Sequence, residues 1–394
     1  MRISRAALVA VGLLVGLLLG EGLLAQFAPQ VRRMPRIWQY DATLGWAHVP
    51  GAVGTMVTPE FRVEMAINTA GLRDREIPRE RPPGGWRLVA LGDSFVEGWG
   101  VALEASVSKQ LEQRLQAMAG TAVEVINMGV AGYGTDQELL FYERAGRDYH
   151  PDDVLLFFYA NDLWNNWSAV GIGSERGYKP FFRTGAAGSL ALHGVPVPRL
   201  SSWDPDWAAQ APWRWRLDRH LEQHWHCYAL AKRALFPPMG ELGQRQDYYE
   251  GLYGLDAAGR WQSHWELSGR LLDALDKAVR RDGARLHVIH VPALVQIDDT
   301  VWERTLRRNQ LTGRYDRQKP GRQLAALAAR YGLRYLDLGA AFREEAVRQA
   351  LFLRDSHWSA AGHALAAATI AERLLAERDA ASGRRASEAA RLRP

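Results

Sequence analysis

The stretch Arg87-Leu-Val-Ala-Leu-Gly-Asp-Ser94 decides the fold prediction, because a short apolar run passes directly into a polar turn. Such a run, bounded by turn residues, predicts a strand that is buried on both faces. Strands of this kind are typical of parallel sheets covered by helices on both sides. We therefore predict a parallel sheet whose first strand ends at Gly92-Asp93-Ser94.

Strands and helices alternate on both sides of a long insert. Further strands are predicted at residues 122–127, 153–159, 284–291 and 334–338. Helical spacing of apolar residues predicts helices at 104–118, 135–149, 268–281, 321–331 and 359–377. This alternation predicts a flavodoxin-like three-layer α/β/α fold with a five-stranded parallel sheet.

The N-terminus has the pattern of a membrane segment. Arg2 and Arg5 precede an uncharged apolar run at residues 6–20, which is shorter than the roughly 20 residues that span a bilayer. A secretory signal has the same features, but no small-x-small cleavage site follows. We predict a signal anchor or transmembrane helix at 1–28. The body is expected outside the cytoplasm, in the periplasm or the extracellular space, although the arginines at 32, 33 and 36 weaken the charge asymmetry.

The remaining boundaries follow from composition. Residues 29–85 read as an irregular preface with one strand-like piece at 61–67, and residues 86–378 form the main domain. An insert at 163–265 carries Trp164, Trp167, Trp203, Trp207, Trp213, Trp215, Trp225, Trp261 and Trp265. The tail at 379–394 is low in apolar residues and is predicted to be disordered.

Charge and cysteine content exclude some classes of protein. The net charge of +5 comes from scattered arginines without a nucleic-acid-binding module, so no nucleic-acid partner is expected. A single cysteine, Cys227, excludes an intramolecular disulfide, and its aromatic neighbours predict a buried, inert thiol.

Polar or glycine-rich clusters follow three predicted strands and precede the last helix. They are Gly92-Asp93-Ser94, residues 127–134, Ala160-Asn161-Asp162 and residues 354–359. Ligands of open α/β sheets bind beyond the carboxyl ends of the strands. We therefore expect these four clusters to meet at one edge of the sheet.

These clusters resemble the blocks of the SGNH (GDSL-like) serine hydrolase superfamily, namely a GDS turn, a glycine loop, a G-x-N-D block and a late Asp/His pair. The resemblance covers about half of the chain, residues 87–162 and 268–377. It implies that Ser94 is the nucleophile, His357 its base, and Asp355 the group that orients the imidazole. It also implies an oxyanion hole formed by Ser94, Gly132 and Asn161, with no metal or cofactor.

Elementary chemistry agrees with these roles. A serine hydroxyl needs a neighbouring base, and a neutral histidine oriented by a carboxylate is a suitable one. Each cluster also has a structural interpretation: Gly-Asp-Ser is a common turn, Asn161-Asp162 can cap a helix, and 355–357 can be a plain loop. The occurrence of all four clusters in order favours the catalytic interpretation.

The sequence departs from the superfamily pattern at two positions. Ala160 replaces the usual glycine, and the last block is D-x-H instead of D-x-x-H, with Trp358 and Gly362 as in membrane-anchored bacterial members. If the loop cannot turn the Asp355 carboxylate back to the ring, another acid must serve. The preface motifs Leu44-Gly45-Trp46 and Asn68-Thr-Ala-Gly-Leu-Arg-Asp74 resemble the same branch, and a cover over the sheet edge is the expected role.

Two features of the insert bear on ligands. Trp164 and Trp167 directly follow Asn161 and are the candidates for contact with substrate, whereas most insert tryptophans should form its own core. His220 and His224 share one helix face, but no third ligand is evident, so no metal is expected.

Together these features predict a serine ester hydrolase that works through an acyl-serine intermediate. Its partner would be an ester-bearing small molecule or glycan, such as the O-acyl groups of an envelope polysaccharide or lipid. A polysaccharide O-acetyltransferase with the same triad is one alternative, because a sugar hydroxyl can replace water. A non-catalytic glycan-binding or assembly protein is the other.

Overall fold

The computed structural model describes residues 4–391 except 172–176, 186–187, 200–208, 236–241, 256–258, 260 and 347–349. Its strands are β1 (Trp38–Asp41), β2 (Gly45–His48), β3 (Val53–Val57), β4 (Arg62–Ala66), β5 (Trp86–Gly92), β6 (Val123–Gly129), β7 (Asp153–Phe158), β8 (Phe181–Thr184), β9 (Leu190–His193), β10 (Arg285–His290) and β11 (Arg334–Asp337).

The helices cover the sheet and extend from it. They are α1 (Arg5–Phe27), α2 (Ser94–Glu97), α3 (Val107–Met118), α4 (Thr135–Arg144), α5 (Asp162–Trp167), α6 (Trp213–His224), α7 (His226–Leu235), α8 (Leu242–Tyr253), α9 (Gln262–Arg281), α10 (Leu294–Ile297), α11 (Asp299–Arg308), α12 (Lys319–Tyr331), α13 (Gly339–Glu345) and α14 (Ala360–Arg391).

The central sheet has the order β11-β10-β7-β5-β6, and all of its strands are parallel. This order confirms the predicted flavodoxin-like fold. Every residue of β5 and β7 is buried, as their continuous apolar runs predicted. Leu91 of β5 packs with helices α4, α9 and α12, whereas Leu88 packs with α3 and α14. The alternation of side chains along each strand thus supplies two hydrophobic cores.

Several predicted boundaries differ from the structure. Thr135 is the first residue of α4 and Gly134 is its cap, so Thr135 does not cap this helix. Helix α14 continues to Arg391, and the tail predicted to be disordered is therefore helical as far as this residue, in keeping with its content of alanine, arginine and glutamate. Cys227 is half-buried against α1, not buried in a core.

Helix α1 is long and apolar enough to cross a membrane, with a mean hydropathy of 2.3 over its most apolar window, none of which is buried in the protein. A secretory signal sequence would have the same properties.

The preface and the insert both attach to the main domain. The preface forms two hairpins, β1–β2 and β3–β4, and its Trp46 is fully buried. In the insert, the Lys179 ammonium is buried, pairs with Asp136 of α4, and donates to the carbonyl of Asn165 at 3.0 Å. These contacts fix both additions near the carboxyl edge of the sheet.

Candidate active site

Ser94 lies where strand β5 turns into helix α2. Asp93 is the cap of this helix, and its Oδ1 accepts the backbone N–H of Phe95 at 2.9 Å. Ser94 is the first helical residue and is 9% exposed. Because the turn directly follows a buried parallel strand, the Ser94 hydroxyl lies at the carboxyl edge of the sheet, where ligands bind.

His357 reaches this hydroxyl from the loop before α14. Its Nε2 lies 2.9 Å from Ser94 Oγ, although the two residues are 263 positions apart. The His357 ring stacks on Trp99 at 5.2 Å between centroids and packs against Phe95 at 5.3 Å. The backbone N–H of Leu353 donates to the His357 carbonyl at 2.7 Å, which anchors the loop. An imidazole at this distance can remove the serine proton.

Asp355 lies on the other side of the imidazole. Its Oδ1 is 3.2 Å from His357 Nδ1, a distance typical of an ion pair, with the N–H poorly aligned for a hydrogen bond. Its Oδ2 accepts the indole N–H of Trp99 at 2.9 Å. Burial raises the pKa of Asp355, but hydrogen bonding and charge from His357, together with the Trp99 N–H, outweigh it and hold this pKa below its usual value.

A left-handed residue explains how two positions of spacing suffice. Ser356 has φ of +74°, a conformation that residues other than glycine rarely adopt. Its N–H donates to the carbonyl of Leu353 at 3.0 Å, which closes a tight turn. Asp355 is thereby turned back to the ring, so the D-x-H spacing requires no substitute acid.

Three N–H donors surround the approach to Ser94. Asn161 Nδ2 donates to Asp93 Oδ2 at 3.0 Å, which leaves the second N–H of the amide for another acceptor. Gly132 has φ of +81°, which suits glycine. Within the part of the chain that the structure describes, the backbone N–H groups of Ser94 and Gly132 meet no protein acceptor. The donors expected for an oxyanion hole are thus present and available.

The end of β6 packs tightly against the turn that carries Ser94. A Cβ on Gly129 would lie 2.1 Å from the backbone nitrogen of Glu97, so no side chain fits there. Glycine at this position allows the glycine-rich loop to approach α2 backbone to backbone.

Comparison with known proteins identifies the family. The profile of the GDSL-like lipase/acylhydrolase family matches residues 90–365, well over half of the chain. This chain belongs to that family. It is therefore an ester-hydrolysing enzyme, as the sequence resemblance predicted, and the non-catalytic alternative is set aside. The sequence matches no curated protein.

Solved structures with a similar fold include three esterase-like proteins. The acetyl xylan esterase AlAXEase is 12% identical, over 72% of this chain and 97% of that chain, with a TM-score of 0.37. Axe2, an acetylxylan esterase from Geobacillus stearothermophilus, is 14% identical over 72% and 92%, with a TM-score of 0.38. TesA is 12% identical over 72% and 95%, with a TM-score of 0.36. These TM-scores are too low to support any statement about the substrate of this acylhydrolase.

The two tryptophans proposed to contact substrate pack within the insert of the acylhydrolase. Trp164 lies against Trp261, with ring centroids 6.1 Å apart, and Trp167 stacks on His264 at 4.4 Å. Among the described residues, no ring contact or hydrogen bond joins either indole to Ser94. Contact with substrate therefore stays a prediction for both residues.

The histidine cluster in α6 and α7 has other partners. The rings of His220 and His224 stack at 4.4 Å, and His226 Nδ1 accepts the N–H of Gln30 at 2.7 Å. In the described ranges, no group of three or more His, Cys, Asp or Glu side chains is arranged to hold a metal.

The preface motifs, for which the sequence indicated only a covering role, bind the backbone around Ser94. The buried Arg73 donates to the carbonyls of Glu97, Gly98 and Val101 at 2.7, 2.5 and 2.7 Å. Trp46 donates to the carbonyl of Ala131 at 3.1 Å, next to Gly132. The motif residues thus hold both the α2 turn and the glycine-rich loop of the acylhydrolase.

The carboxylate of Glu97 strengthens the same attachment. It lies 2.6 Å from His48 Nε2 and accepts the indole N–H of Trp38 at 3.1 Å, all within a buried environment. The spacing of the preface motifs was visible in the sequence, but their partners lie in α2, which no local pattern connects to them.

Proposed function

We propose that this acylhydrolase cleaves esters through an acyl intermediate on Ser94. The observation that carries the proposal is the 2.9 Å separation of Ser94 Oγ and His357 Nε2 at the carboxyl edge of the sheet. A serine hydroxyl becomes an effective nucleophile when a base takes its proton during attack, and His357 is within reach to do so.

The reaction proceeds in two balanced halves. Ser94 Oγ bonds to the ester carbonyl carbon while its proton passes to His357 Nε2. The carbon–oxygen bond to the alcohol then breaks, and the imidazolium returns the proton to the leaving oxygen. Water attacks the acyl-serine with His357 again as base, which releases the acid and restores the hydroxyl.

Two sets of groups support the charges that develop. The Asp355 carboxylate, 3.2 Å from His357 Nδ1, stabilises the imidazolium. The N–H groups of Ser94, Gly132 and Asn161 stabilise the oxyanion, and the loss of one such donor typically lowers kcat by about 10²–10³. Because Asp93 accepts one N–H of Asn161, it orients the amide that supplies the third donor.

We infer that α1 anchors the chain as a single-pass helix in the cell membrane, with the hydrolase domain in the periplasm or outside the cell. Its apolar length and exposed surface support this inference, as do the arginines at its start. The substrate class we propose is an ester-bearing molecule near the membrane, such as an O-acylated envelope polysaccharide or lipid.

Covalent labelling tests the nucleophile. A fluorophosphonate probe should label the full-length protein, and Ser94→Ala should abolish labelling and lower p-nitrophenyl acetate hydrolysis by about 10⁴-fold. Ser263→Ala is a matched control, since this exposed serine lies 3.5 Å from a histidine, His264, outside the site. Full labelling of Ser94→Ala would contradict the proposal.

The same assay tests the base and the substrate. His357→Ala should lose activity while its circular dichroism and melting temperature stay unchanged; an unfolded variant would make His357 a structural residue. Esters of increasing acyl length, with and without an oligosaccharide acceptor, measure the acyl preference. Faster ester consumption with acylated oligosaccharide as product would indicate a transferase and contradict hydrolysis as the main reaction.

A further inference from the structure

Helices α6 and α7 of the insert pack against the C-terminal part of α1. The two carboxylate oxygens of Glu21, the one acid in α1, accept the backbone N–H groups of His226 and Cys227 at 2.7 and 2.8 Å. Cys227 Sγ lies 4.0 Å from the carbonyl of Leu17. The free N–H groups at the start of α7 thus satisfy an acid within an otherwise apolar helix.

This contact sets the position of α7 along α1. Glu21 precedes Phe27, the last residue of α1, by six positions, which correspond to about 9 Å along a helix. Amphipathic helices that lie on a membrane are buried by about 5–10 Å at the boundary between headgroups and acyl chains. If α1 crosses a bilayer and ends at its surface, the junction of α6 and α7 lies at the depth of the headgroups.

The same two helices expose large apolar side chains. Trp213 is 62% exposed, Leu217 47%, Leu230 43% and Leu235 72%. These side chains adjoin the exposed apolar surface of α1, because α7 packs directly on that helix. Tryptophan and leucine at such a junction are typical of proteins that reach the membrane–water interface.

The charges on these helices favour an anionic surface. Arg214 and Arg216 are exposed on either side of Trp215, whereas Asp218 and Glu222 are both paired with Lys232, at 2.7 and 3.0 Å. The acids are thereby neutralised within the helix pair, and the exposed guanidinium groups remain available. Anionic lipid headgroups attract arginine side chains near a bilayer.

We propose that helices α6 and α7 form a membrane-contacting surface that lies in the headgroup region of an anionic phospholipid leaflet beside α1. The proposal rests on the anchoring function proposed for α1 and is independent of the chemistry at Ser94. Two points of attachment would hold the hydrolase domain in one orientation relative to the membrane, whereas a single tether would let it rotate.

Depth measurement in vesicles tests this surface. Cys227 is the only cysteine, so a full-length Cys227→Ser background accepts single cysteines labelled with a fluorophore. The labelled sites are Leu217→Cys in α6, Leu13→Cys in the middle of α1, and Met118→Cys at the amino edge of the sheet as a control. The vesicles contain phosphatidylcholine and phosphatidylglycerol, with nitroxide lipids labelled near the ester groups or in the middle of the acyl chain.

We expect the Leu217→Cys probe to lose more fluorescence with the shallow nitroxide, the Leu13→Cys probe with the deep one, and the Met118→Cys probe with neither. Quenching at Leu13→Cys without quenching at Leu217→Cys would overturn this surface and leave the anchor intact. Absence of quenching at both would overturn the anchor as well. Hydrolysis of p-nitrophenyl acetate by each labelled protein shows that it is folded and reports separately on Ser94.

Two further outcomes discriminate the occupant of the surface. Protection of the Leu217→Cys probe from aqueous iodide without quenching by lipid would indicate that a second copy of the chain covers it, and would overturn the inference. Equal quenching in vesicles of phosphatidylcholine alone would overturn the choice of an anionic leaflet.

Discussion

Replacement of Trp99 by phenylalanine separates the two contacts that this residue makes with the catalytic groups. The indole N–H donates to Asp355 Oδ2 at 2.9 Å, and the ring stacks on His357 at 5.2 Å. Phenylalanine retains an aromatic ring against the imidazole but cannot donate the hydrogen bond. We therefore expect Trp99→Phe to loosen Asp355 without exposing His357, and Trp99→Ala to do both.

The structure sets the size of the effect. Hydrogen bonds to charged groups contribute roughly 1.5–3 kcal/mol. The Asp355 side chain is 31% exposed, so water screens part of this energy and the low end applies. About 1.4 kcal/mol corresponds to a tenfold lower kcat/KM. Because the Trp99 N–H helps to hold the pKa of Asp355 down, its removal raises this pKa, and activity should be lost at a higher pH on the acid side.

The assay is the pH dependence of kcat/KM for p-nitrophenyl acetate. Trp302→Phe is the matched control, since its indole packs against Tyr253 and has no contact with Asp355 among the described residues. Wild-type kcat/KM and an unchanged acid limb in Trp99→Phe would refute the inference that this hydrogen bond positions the acid.

Three further results are expected. Arg73→Met, which leaves three backbone carbonyls around α2 without their donor, should lower both kcat and the free energy of unfolding, the latter by about 1–3 kcal/mol, whereas Arg75→Met at an exposed position should not. Ser356→Gly should be nearly neutral in urea unfolding, but Ser356→Val should lose about 1–2 kcal/mol because φ is positive there. Burial, with the charges of Arg73 and His357, lowers the pKa of His363 from 6.5 to about 3; the unfolded chain then binds more protons between these values, so the free energy of unfolding should fall as pH drops through this window, and His363→Asn should flatten that slope.

The sheet and the main catalytic contact were predictable because local sequence determines them. Each strand is an apolar run, and parallel strands bring their carboxyl ends to one edge, which places Ser94 near the glycine-rich loop and Asn161. The late position of His357 followed from the order of the blocks. The D-x-H spacing left the reach of Asp355 open, because only the left-handed conformation of Ser356 shows how the loop turns.

The remaining contacts of the site depend on long-range packing that no sequence period encodes. Trp99 has no motif that connects it to Asp355, 256 positions away. Arg73 was part of a recognisable motif, but its carbonyl acceptors around Glu97 carry no side-chain signature. Trp164 and Trp167 were placed near substrate by their position after Asn161, and the insert instead provides both indoles with aromatic neighbours of its own.

Mass spectrometry of the protein after an acid quench within the first turnover of p-nitrophenyl acetate tests the reaction most directly. We expect the mass of one acetyl group on the peptide that contains Ser94, and its accumulation when Asp355→Ala slows the return of water to the acyl-serine. Turnover with this peptide unmodified, or with the acetyl group on another residue, would contradict a mechanism in which Ser94 and His357 act together.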